Sequence, residues 1–201
     1  MSLATLVTTQ APVAGPGEPS WKKAAQSDGV AVYTRVKKGT NLQELTAVGM
    51  IDAPPLQVWK AVRDYDNYKT KMPYTEESRV LSKAPDGKSL TFYSVINAPL
   101  VSRRDYVIRV RDESAWQDGK GFLKATWTSI QDGPPPKPDV VRVAINDGSW
   151  LLEPKQDGKK TLATYYVFTD PGGSLPRWVA NSANGTAVPN VFKCVRKASA
   201  P

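Results

Sequence analysis

The chain contains no histidine and a single cysteine, Cys194. Zinc sites built from His and Cys, Ser-His-Asp triads and Cys-His dyads are therefore excluded, as is any internal disulfide. No D-x-D-x-D-G loop offers carboxylates to a hard cation, and no cofactor is expected. No apolar run approaches the ~18 residues that a membrane-spanning helix requires, so the sequence reads as a soluble protein. Cys194 stands among Lys193, Val195 and Arg196 and reads as a small buried or half-buried filler.

What is present is ordinary globular material. The 201 residues are 40% hydrophobic and 23% charged. That length favours one domain with a substantial core. Lys and Arg total 27 against 19 Asp and Glu, a net charge of +8. Such a balance permits attraction to nucleic acid or to anionic membranes without choosing between them. No nucleic-acid motif accompanies the charge, so no nucleic-acid partner is expected; the basic Arg177, Lys193, Arg196 and Lys197 suit anionic headgroups instead.

Residues 1–19 are rich in Thr, Ala, Pro and Gly without periodicity and read as a flexible leader before a domain at 20–198. Trp21 to Ser27 reads as a short helix stopped by Asp28-Gly29. Two strands follow, Val30 to Lys37 and Leu42 to Ile51. Pro54-Pro55 then opens a helix whose Val58, Trp59, Val62 and Tyr65 recur at helical spacing, with a further turn near Asn67 to Met72. The next hundred residues read as strands near 79–83, 88–97, 104–111, 121–130, 139–146, 149–154 and 160–169. Asp-Gly and Pro-rich breakers at 85–87, 118–119, 132–136, 147–148 and 157–158 separate them. A last helix is expected from Ser174 to about Lys197, its stripe formed by Leu175, Trp178, Val179, Ser182, Thr186, Pro189 and Phe192, with bends at Gly185 and Pro189. The pattern is α+β: a curved antiparallel sheet around a long C-terminal helix, with an apolar cavity between them where small stripe residues leave room.

Within the strand Arg104 to Arg111, period-2 alternation puts Arg104 on one face with Tyr106, Ile108 and Val110. If that face is inward, the guanidinium needs a carboxylate, backbone acceptors or a polar ligand head; the alternative is a position at the strand rim with its head in water. The loop Asn97 to Ser102 holds Pro99, Leu100 and Val101 before Arg103, a pattern that suits contact with a membrane surface.

Several segments, in order, resemble the StAR-related lipid-transfer (START) domain of the helix-grip superfamily. These are Pro54-Pro55-Leu56-Gln57-Val58-Trp59, Ser102-Arg103-Arg104-Asp105-Tyr106-Val107, Val140-Val141-Arg142 with Gly148-Ser149-Trp150-Leu151-Leu152-Glu153-Pro154, and Gly173-Ser174-Leu175-Pro176-Arg177-Trp178-Val179-Ala180-Asn181. The resemblance spans about Trp21 to Lys197. It implies a monomeric carrier of one lipid or sterol-like molecule, held between sheet and last helix. The loop 98–102 and that helix would be the gate, and Arg104 would lie inside the cavity. The strand Thr91 to Asn97 carries no acid to pair with Arg104, which leaves Glu44 or the ligand's own head. The expected ligand contacts are Arg104, Tyr106, Ile108, Phe92, Trp127, Tyr166, Trp178, Val179, Ser182, Thr186 and Phe192, with Pro99, Leu100 and Val101 as gate or membrane contact. The same cavity could serve a polyketide cyclase or aromatase, with Tyr93, Tyr106, Tyr166, Glu44 or Arg104 as acid or base.

Overall fold

The computed structural model describes residues 20–99, 101–172 and 186–200. The leader 1–19, Leu100, and the first part of the expected last helix, including Trp178, Val179 and Ser182, lie outside the described residues.

The first departure from expectation is at the start. Lys22–Ser27 is a strand, β1, paired antiparallel with β2 (Val30–Val36). Asp28 and Gly29 both take positive φ, 51° and 70°, the signature of a tight hairpin turn rather than a helix stop. β3 (Gln43–Ile51) continues the sheet, and α1 (Pro55–Arg63) follows with proline in its first turn and Val58, Trp59 and Val62 buried. A short turn at Tyr65–Asn67 leads into the four-residue α2 (Tyr68–Lys71).

The remaining strands are β4 (Thr75–Lys83), β5 (Ser89–Ile96), β6 (Arg104–Asp112), β7 (Ala115–Gln117), β8 (Lys120–Ser129), β9 (Val141–Arg142), β10 (Ile145–Lys155) and β11 (Lys160–Asp170). They join β1–β3 in one sheet ordered β1-β2-β3-β11-β10-β8-β6-β5-β4, antiparallel throughout that path, with β7 beside β8 and β9 parallel to β6. The strand expected at 139–146 is thus split. Asp147-Gly148, expected as a turn, lies inside β10 because a glycine is needed there for another reason. A Cβ at position 148 would stand 2.4 Å from both the Trp127 ring and the Tyr166 carbonyl oxygen. The glycine lets an indole lie flat across the strand.

The last helix is described as α3 (Val188–Ala198), preceded by a wider turn at Thr186–Ala187. Pro189 falls in its first turn, where a missing N–H costs nothing. Phe192 and Val195 are fully buried. Gly49 of β3 accepts the Phe192 ring: a Cβ there would come within 3.1 Å of it. Burying a side chain of that size contributes about 2–3 kcal/mol, and it clamps α3 onto β3 near α1. The architecture is the expected α+β sheet gripping a C-terminal helix.

Candidate functional site

Between the inner face of the sheet, the segment Tyr65–Thr75 and α3 lies a hollow of about 410 Å³. Sites for small organic molecules are commonly this size. The pleat decides which strand residues reach it. β11 contributes Tyr165, Val167 and Thr169, β10 Asn146 and Trp150, and β8 Trp127; β6 adds Tyr106 and Ile108, and β5 adds Phe92 and Ile96. Tyr65, Tyr68, Met72, Pro73 and Thr75 close one side, and Ala187 and Val191 of α3 another.

Tyr68, Tyr106 and Tyr165 are only half-buried, yet desolvation pushes each phenol above its ordinary pKa. Both observations hold together because the surface these rings expose faces the hollow rather than bulk water. The aromatic walls brace one another: Tyr165 lies 4.7 Å from Trp150 and 5.9 Å from Trp127, and Phe92 lies 5.1 Å from Tyr65 and 5.5 Å from Tyr68. Among the described residues that line the hollow there is no Asp, Glu, Lys or Arg.

Of the expected contacts, Phe92, Tyr106, Ile108 and Trp127 line the hollow together. Arg104 does not: its guanidinium donates from Nε to the Pro171 carbonyl at 3.1 Å and from Nη1 to the Ser102 carbonyl at 2.6 Å, and burial lowers its pKa. Backbone acceptors, not Glu44, answer it. Tyr166 is on the opposite face, where its hydroxyl donates to Glu44. Phe192 packs beneath Trp150, with ring centroids 5.2 Å apart, and Thr186 is exposed. Pro99 is exposed and Val101 half-buried, three and five residues beyond the hollow-lining Ile96. The residues that sequence reasoning missed include Tyr65, Tyr68 and Met72, whose inward aim depends on the path after α1. It also missed Trp150, Tyr165 and Val191.

The outer face of the same sheet is where the charges lie. The fully buried Glu44 is held by Arg35, Lys37 at 3.0 Å and the Tyr166 hydroxyl. Burial pushes its carboxyl up, but the three hydrogen bonds outweigh that and hold it below the usual range. Asp105, also fully buried, receives Arg142 through Nε at 2.7 Å and Nη2 at 3.0 Å, and the Tyr93 hydroxyl at 3.1 Å. That pair pins the loop after β8 over a small second core of Tyr93, Val95 and Val107.

The START-domain family model matches residues 9–200 of this chain. The chain belongs to the START domain family. An uncharacterised protein of Pseudomonas aeruginosa is 34% identical over 182 residues, covering 89% of this chain and 86% of that protein. The phosphatidylcholine transfer protein of Rattus norvegicus is 28% identical over 181 residues, covering 89% and 83%. The crystal structure of a STAR-related lipid transfer protein fragment from Xanthomonas axonopodis superposes with a TM-score of 0.77 at 28% identity, covering 90% of this chain and 98% of that one. Membership fits the helix-grip architecture. Among the described residues no helix is long and apolar enough to cross a membrane.

Proposed function

We propose that this START domain takes one lipid or similar hydrophobic molecule into the hollow between sheet and α3 and carries it between membranes as a single chain. The observation that supports this most is the 410 Å³ hollow itself, walled by aromatic and aliphatic side chains where the family's sheet faces its helix. Each buried CH₂ contributes about 0.8 kcal/mol, so even one acyl chain offsets much of the ordering cost of binding. The exposed Pro99, with Val101, would meet the membrane during exchange, assisted by the exposed Lys193 and Lys197 of α3. Binding is favoured over cyclase-type catalysis, because burial pushes the Tyr106 phenol up and away from acid–base work near neutral pH, and hydrogen bonding engages Tyr166 with Glu44.

The test is transfer of a fluorescent lipid between donor and acceptor vesicles, with native mass spectrometry on the same sample. The expected result is accelerated transfer with one lipid per chain. A chain that takes up no lipid and accelerates nothing would refute the proposal.

A further inference from the structure

The hollow is not uniformly oily. Among the described residues, nothing accepts a hydrogen bond from the indole N–H of Trp127 or Trp150, and the Tyr165 hydroxyl has no partner. Trp127 and Trp150 are more than nine-tenths buried, with relative exposures of 9% and 5%. Their N–H groups are nonetheless not sealed off as the Trp21 indole N–H is, which is fully enclosed and unpartnered. Both rings line the hollow. Asn146 adds to the set: its Oδ1 accepts from Thr169 Oγ1 at 3.1 Å, which leaves its Nδ2 donors free.

A buried donor without an acceptor is destabilising, and several lining one hollow call for a common acceptor. That acceptor can be neutral or anionic. An anion here would meet no counter-charge among the described lining residues, and an unpaired ion taken out of water carries a large desolvation penalty. A neutral oxygen has no such penalty. Among the described residues, Arg104 at the start of β6 does not line the hollow and donates instead to the Pro171 and Ser102 carbonyls.

The geometry points to an acceptor subsite for an uncharged carbonyl, ester or ether oxygen, formed by the Trp127 and Trp150 indole N–H groups and the Tyr165 hydroxyl. The part of the ligand that enters the hollow is therefore an uncharged, oxygen-bearing amphiphile, and a charged headgroup stays outside. This rests on the reading of the hollow as a ligand site.

Three probes of equal chain length separate the possibilities: methyl laurate, the laurate anion and dodecane, titrated at pH 8 by calorimetry and tryptophan fluorescence. Methyl laurate binds about tenfold tighter than either of the others. Tyr165→Phe and Trp150→Phe each weaken methyl laurate about fivefold and leave dodecane unchanged. Tyr165→Phe removes one oxygen and no volume, so it stays informative if Trp150→Phe melts early. Laurate binding as tightly as its ester, or a variant weakening dodecane as much as the ester, would overturn the acceptor subsite while leaving the hollow a ligand site. Binding of none of the three, with the fold intact by circular dichroism, would overturn both.

Discussion

The two faces of the central sheet treat polar groups in opposite ways. On the outer face the buried carboxylates of Glu44 and Asp105 are each satisfied by guanidinium or ammonium groups and a tyrosine hydroxyl. On the inner face the described lining residues carry no charge, and donors on Trp127, Trp150 and Tyr165 go unanswered. Tyr165 and Tyr166 are sequence neighbours, and the pleat alone sends one to each regime. A protein that answers its polar groups on one face can do so on the other; the proposed ligand would supply what the inner face lacks.

The largest expected effect comes from breaking the outer face. Asp105→Ala leaves Arg142 without its bidentate partner and uncouples the loop held over Val107, at a cost of about 3–5 kcal/mol. Urea denaturation would record it, and a change under about 1 kcal/mol would show that the pair does not pin that face. Next, Gly148→Ala drives a methyl into the Trp127 ring and the Tyr166 carbonyl, costing about 1–3 kcal/mol and displacing the indole into the hollow. Unaltered stability and unaltered ligand affinity would contradict the role given to that glycine.

Glu44→Gln sharpens the comparison through pH. The native carboxyl is held below its unfolded value, so its stabilising contribution is present above the ordinary glutamate pKa of about 4.3. That contribution fades as pH falls through the depressed native value. The variant should lose about 1–2 kcal/mol at pH 7 and unfold with a flatter acid limb, read from thermal melts between pH 2 and 7. A parallel acid limb in both proteins would sever Glu44 from acid stability. The smallest effect is the contrast between neighbours. Tyr166→Phe loses about 1 kcal/mol with its bond to Glu44, whereas Tyr165→Phe changes stability by less than about 0.5 kcal/mol, because its hydroxyl has no partner among the described residues to lose.

The same contrast explains what could be read from the sequence. β6 alternates cleanly, so Tyr106 and Ile108 were assignable to one face, and Phe92 and Trp127 followed from neighbouring strands. β11 reads Leu-Ala-Thr-Tyr-Tyr-Val-Phe, at least half-buried on both sides at its centre. With no polar alternation to set the face, a one-residue slip exchanges Tyr165 for Tyr166. Arg104 was placed correctly on the strand, but two backbone carbonyls that claim it come from distant and adjacent loops that no pattern joins. Asp28-Gly29 signalled a break without saying whether a helix ended or a hairpin turned, since both use a left-handed residue.

Photolabelling gives the most direct test of the division between faces. A diazirine-bearing fatty-acid methyl ester is equilibrated with the protein, irradiated and mapped by peptide mass spectrometry. Adducts are expected on the peptides that carry Trp127, Trp150, Tyr165 and Val191. Labelling confined to the outer-face loop after β8, around Pro134, or scattered without saturation, would contradict a ligand site on the inner face.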